Sequence, residues 1–157
     1  QLIYQKGAWV LAMLRYEVGD SLFFSILTEY YKAHQYSNAT TQQFQHIAER
    51  VSGKNLHQFF DQWVYTGVGI PELEYEIEKS NDGIYLSVEQ IQEGYQTYIL
   101  SVPFTVTDEA GISHSMKLSL DKRSIRLKLN GVSSVAEVDF DPESKLLIAF
   151  TQKQTNE

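Results

Sequence analysis

The side chains here with most chemistry to offer are four histidines, His34, His46, His57 and His114, and a group of carboxylates. None of the histidines stands in H-E-x-x-H, the spacing that sets two imidazoles a helical turn apart with a glutamate beside them. Cysteine is absent, which excludes disulfides and thiolate metal sets. His57 and Asp61 are four residues apart and could share a metal. Both fall on the polar side of a helix whose other face is Leu56, Phe59, Phe60 and Trp63, so the pair reads as a solvated face. His114 shares a strand face with Ile112, Met116 and Leu118 and reads as a partly buried, hydrogen-bonded histidine. Asp139, Asp141 and Glu143 alternate near a strand end but lack the D-x-D-x-D-G loop that wraps calcium, and the Asp-Pro step there reads as a turn. No G-x-S-x-G elbow and no phosphate-cradling glycine loop occurs. Asn38-Ala39-Thr40 is a glycosylation sequon, meaningful only in a eukaryotic secreted protein. These residues alone do not make a complete enzyme.

Elements able to position such groups follow from periodicity. Up to about residue 66 the apolar spacing is helical. Val10, Met13, Leu14 and Val18 belong to a first helix ended by Gly19. Asp20 is placed to cap a second, in which Phe23, Ile26, Leu27 and Tyr30 repeat at helical intervals. Thr41 is the expected cap of a third, with Phe44, Ile47, Ala48 and Val51 on one face and Gly53 closing it. Asn55, with Gln58 as capping-box partner, is expected to start a fourth carrying Leu56 to Val64. Gly67, Gly69 and Pro71 break the pattern, and the period becomes two. Leu73, Tyr75 and Ile77 alternate with glutamates, and further strands are expected at residues 84–88, 98–106, 112–120, 125–129, 136–140 and 146–150. The predicted fold class is α+β: an N-terminal bundle of about four α-helices over residues 1–70, then an antiparallel β-sandwich of about seven strands over residues 71–157.

The chain has 157 residues and a net charge of -7. Residues 1–71 hold five basic and five acidic side chains, so the imbalance lies wholly in the second half. An acidic surface without a basic stripe argues against nucleic acid, whose phosphates require clustered Lys and Arg. No apolar run approaches the ~20 residues of a membrane span. There is no charged-then-apolar leader, and a chain beginning with Gln reads as cut from something longer.

One ordered series of residues goes further. It runs through Ile3-Tyr4-Gln5-Lys6-Gly7-Ala8, Val10-Leu11, Met13-Leu14, Gly19-Asp20 and Phe23-Phe24. It continues through Ala39-Thr40, Ser52-Gly53, Asn55-Leu56, Phe59-Phe60, Gln62-Trp63-Val64, Gly69 and Pro71. In order and spacing it resembles the aminopeptidase N-type (gluzincin) zinc metallopeptidases, downstream of their zinc-binding helix. Beyond Pro71 the likeness is looser, carried by residues 88–92, residues 98–106 and Asp141-Pro142, which look like parts of that family's β-sandwich domain.

The resemblance implies a zinc-dependent parent that hydrolyses peptides from the amino end. Its zinc would be held by two histidines and a glutamate N-terminal to Gln1, in an upstream catalytic domain. Within this chain it assigns one catalytic residue: Tyr4, the tyrosine of Y-x-K-G-A, as a hydrogen-bond donor to the oxyanion of the transition state. It assigns no role to Lys6 or Trp9, and no metal ligand or cofactor-binding residue to the chain. The isolated chain is accordingly expected to be inactive and to bind no zinc tightly. Long members of the family continue into a large helical domain, and a chain ending soon after its last strand suggests a short bacterial-type member. The alternative is a non-catalytic relative that uses the sandwich as a protein-binding surface.

Overall fold

The computed structural model describes residues 2–67, 69–94 and 96–153, with residues 2–4 described by backbone alone. The chain divides into two compact units, Gln1–Val68 and Gly69–Glu157.

The first unit holds helices α1 (Leu2–Val18), α2 (Asp20–His34), α3 (Thr41–Ser52) and α4 (His57–Phe60), the last running into a π-helical segment, Asp61–Tyr65. Val10, Met13, Leu14 and Val18 form the buried stripe of α1, the spacing one helix face requires. Leu14 and Val18 join Phe23, Ile26, Ile47, Ala48, Leu56 and Phe60 in one core. Tyr30 meets Phe44 edge-on at 5.1 Å, and Phe44 meets Phe60 at 6.1 Å, so α2, α3 and α4 share an aromatic seam.

Three expected caps shift. Asp20 is the first helical residue of α2, and Gly19, with φ 85°, occupies the cap position. The physical reason is Arg15, whose guanidinium takes both carboxylate oxygens of Asp20, at 2.9 and 2.7 Å, across the corner. Thr40, not Thr41, caps α3. Its hydroxyl accepts from Gln43 N, and the Gln43 side chain returns to Thr40 N at 2.8 Å, a complete capping box. At α4, Leu56 holds the cap position with no capping side chain. Asn55 Oδ1 accepts from His57 N at 3.0 Å as a local turn, and Gln58 Nε2 donates forward to Gln62 Oε1 at 3.3 Å. Glu49 Oε1 receives Leu56 N at 3.1 Å, which pins the approach to α4 against α3. The widened turn that follows leaves Phe60, Gln62 and Trp63 all buried, and Thr66 N closes it on Asp61 O at 2.9 Å.

The second unit has seven strands: β1 (Glu72–Ser80), β2 (Gly83–Gln90), β3 (Leu100–Thr107), β4 (Ser113–Leu120), β5 (Ser124–Lys128), β6 (Glu137–Phe140) and β7 (Ala149–Gln152). They form a four-stranded sheet in the order β5-β2-β1-β7 and a three-stranded sheet in the order β4-β3-β6. Strict alternation sets the faces: Ile84, Leu86 and Val88 of β2 and Leu100, Val102, Phe104 and Val106 of β3 are buried. Phe140 of β6 joins the two sheets. It stacks on Phe150 of β7 at 4.4 Å and 8°, and meets Tyr75 of β1 edge-on at 4.9 Å.

The α+β class holds, with local departures from the expected strands: β3 begins at Leu100 rather than Tyr98, and the largest changes are at the last strand. The last strand begins at Ala149 rather than Leu146, because Leu146 N is held by Asp141 Oδ2 at 2.7 Å in the preceding turn. It also pairs in parallel with β1, Glu72 to Ala149 through Tyr75 to Gln152, whereas the other strand pairs described are antiparallel. The chain reaches β7 by crossing from one sheet to the other after β6. Its direction is therefore set by that crossing and not by a hairpin.

Candidate functional site

Tyr4 lies in the first turn of α1, and its side chain lies outside the described residues. Residues three, four and seven positions further along a helix share a face. After Tyr4 these are Gly7, Ala8 and Leu11, all exposed, Leu11 at 41%. A Cβ added at Gly7 would meet no heavy atom within 4 Å. Among the described side chains, the positions that share a helix face with residue 4 are therefore small or exposed.

Lys6 stands on the other side of the turn. Its Nζ donates to the carbonyl oxygen of Gly67 at 2.7 Å, across 61 positions of sequence. Burial of this ammonium lowers its pKa below the usual lysine range. Lys6 is half-buried, Trp9 keeps 37% of its surface exposed, and the first described buried side chain of α1 is Val10. The first turns of α1 have no acidic residue to favour the helix N-terminus. No local pattern in the sequence announces the Lys6–Gly67 contact, since a lysine beside a tyrosine is ordinary and its partner is a backbone oxygen at the far end of the unit.

The other candidate residues are not brought together. His57 is exposed at the start of α4, and Asp61 accepts from Thr66 Oγ1 through its backbone oxygen at 3.0 Å. An open cleft of about 500 Å³ beside α3 is lined by His46, Glu49, Lys54 and His57 among others. Glu49 Oε1 is already engaged there by Leu56 N and by Gln45 Nε2, each at 3.1 Å. His34 tilts against Tyr30 at 5.3 Å. His114 is half-buried, with Nε2 3.4 Å from Asp108 Oδ2. Asp108 Oδ1 accepts from Ile112 N at 2.8 Å and Ala110 N at 2.9 Å. Those backbone donors, with His114, hold the Asp108 carboxyl below its ordinary range against the opposing effect of burial.

Of the three acidic residues near Pro142, Asp141 is buried, with φ 49°, Oδ2 bonded to Leu146 N and Oδ1 without a protein partner. Asp139 is exposed, and Glu143 pairs with Lys145. Among the described residues no group of three or more His, Asp or Glu could hold a metal ion. Nor, among them, is any helix long and apolar enough to cross a membrane.

Comparison with known proteins gives this arrangement its setting. Residues 1–63 match the model of the Peptidase family M1 domain. Over that helical part the chain is similar to M1 aminopeptidases. Aminopeptidase N of Streptomyces lividans is 35% identical over 92 residues, which are 59% of this chain and 11% of that protein. The alanine/arginine aminopeptidase of Saccharomyces cerevisiae is 26% identical over 129 residues, 80% of this chain and 15% of that protein. The crystal structure of Legionella pneumophila aminopeptidase A in complex with aspartic acid covers 96% of this chain with a TM-score of 0.74. At 19% identity that likeness is one of fold, and it extends over 18% of the Legionella chain. The chain thus spans about a tenth of the length of the curated relatives that it matches first.

Proposed function

We propose that this chain is a segment of a longer zinc-dependent aminopeptidase that removes residues from the amino end of peptides, with Tyr4 stabilising the tetrahedral transition state. In this reading residues 1–70 are helices of the catalytic domain and residues 71–157 a separate β-sandwich domain. The observation that carries it is the ordered motif series over residues 1–71, with Tyr4-Gln5-Lys6-Gly7-Ala8 at its head, together with the family match over residues 1–63.

The described residues do not fit a zinc ion, having no adequate donor set. In this reading the ligands belong to an upstream domain, and the partner of this chain is that domain together with the peptide substrate. The contribution of this chain is a hydrogen bond. When a peptide carbonyl is attacked, its oxygen gains negative charge, and a fixed phenol hydroxyl donates to that oxygen more strongly than to the neutral carbonyl. Loss of one such donor typically costs ~2.7–4 kcal/mol of transition-state stabilisation.

The test is kinetic. In the full-length protein, Tyr4→Phe lowers kcat by about 10²–10³-fold with KM little changed. Unaltered turnover removes Tyr4 from the mechanism. The isolated chain is expected to show no peptidase activity and to carry no stoichiometric zinc by elemental analysis, and a full equivalent of zinc would overturn the placement of the ligands upstream.

A further inference from the structure

We infer that Lys6 is a positioning residue for Tyr4: its bond to the carbonyl of Gly67 fastens the first turns of α1, and so fixes the backbone from which the catalytic phenol projects. The inference rests on the reading of Tyr4 given above.

Three observations converge on it. Helix ends fray unless something holds them, because their first N–H groups lack intrahelical partners. Among the side chains described at the beginning of α1, Gln5, Gly7, Ala8 and Trp9 are exposed, and the first that is buried is Val10, two turns in from Leu2. Next, the Lys6 bond is short, 2.7 Å, and its ammonium is partly withdrawn from water. A charged donor with reduced access to solvent depends on its acceptor more than a surface lysine does.

Last, the acceptor is itself anchored. Gly67 follows the π-helical segment, whose end is closed by Thr66 N and Thr66 Oγ1 on Asp61 O, at 2.9 and 3.0 Å. That segment carries buried Gln62 and Trp63. Residues two apart on a helix point to roughly opposite sides. Lys6 therefore holds the turn from the side of the helix roughly opposite position 4.

A donor aimed at a developing oxyanion is sensitive to small displacements. A misplacement of about 1 Å can cost on the order of 10²-fold in rate. Lys6→Met keeps most of the aliphatic stem and removes the donor.

The experiment is a kinetic double-mutant cycle in the full-length enzyme, with Tyr4→Phe, Lys6→Met and the pair. Lys6→Met is expected to lower kcat by roughly 10- to 100-fold with KM little changed. In the Tyr4→Phe background it should cause less than about a threefold further loss, because the group it positions is gone. Lys6→Arg, which retains a long charged donor, should recover most of the kcat. If Lys6→Met unfolds the protein, as read by circular dichroism, Lys6→Gln takes its place in the cycle. A loss that multiplies that of Tyr4→Phe, or a kcat left unchanged, overturns the role of Lys6. A full-length protein without peptidase activity, or one indifferent to Tyr4→Phe, overturns the Tyr4 reading instead, so the two failures are distinct.

Discussion

Gln90 binds the backbone of Tyr98 from both sides: its Nε2 donates to Tyr98 O and its Oε1 accepts from Tyr98 N, each at 2.8 Å. The amide stands in for a neighbouring strand just where the chain leaves β2 and has not yet entered β3. Gln92 extends the arrangement, donating to Gln90 Oε1 at 3.0 Å and accepting from Glu72 N at 3.2 Å. Both glutamines are buried, so these bonds have no solvent substitute.

Replacing Gln90 with Leu should therefore cost more than its change in volume suggests. It removes the bonds that Gln90 makes to the N–H and C=O of Tyr98, and losing a buried bond of this kind costs about 1–3 kcal/mol. The expected loss is roughly 2–5 kcal/mol in the urea unfolding of the β-unit. A change below about 0.5 kcal/mol, the usual size for a surface substitution, would show that the residues between β2 and β3 do not depend on this pair.

The start of α3 offers a sharper contrast between adjacent residues. Thr40→Ala removes the hydroxyl that receives Gln43 N and should cost about 1 kcal/mol. Thr41→Ala, one residue into the helix, should be neutral or slightly stabilising, since alanine is the better helix former. Thermal unfolding of the two single mutants checks the order, and a reversed order would place the cap at Thr41.

Acid should act on the β1–β2 turn. The Tyr85 hydroxyl bonds the Asp82 carboxylate at 2.6 Å. Tyr85, then Ser80 and Lys128, hold the Asp82 pKa down to about 2 from the ordinary 3.8. A pKa depressed in the folded state means stabilisation that is present above the unfolded value. It is lost as pH falls from about 4 towards 2. Tyr85→Phe should move the Asp82 titration upwards towards 3.8, readable by carboxyl NMR. An unmoved titration curve would mean that Lys128 and Ser80 suffice.

The site was less legible than the fold. Tyr4 became a candidate only through the motif around it, because a tyrosine near a helix start is chemically unremarkable by itself. Lys6 had no signal: its partner is the backbone oxygen of Gly67, and a backbone oxygen carries no sequence identity. His57 and Asp61 had the spacing of a metal pair and a setting that gives them other surroundings, His57 in water and Asp61 under Thr66.

By itself the sequence determined the change from a helical to an alternating period near residue 67, the residues that fill each core and the family likeness of its first 71 residues. These are readable because periodicity and motif spacing are local properties of the chain. Tertiary structure decided how α2 and α4 begin, since Arg15 draws Asp20 away from the cap across the corner and Glu49 of α3 claims Leu56 N. It likewise decided the parallel pairing of β7 with β1 and the fastening of Lys6 to Gly67. Each of these depends on groups that meet only after the chain has folded back on itself, and no residue's own preference encodes its distant partner.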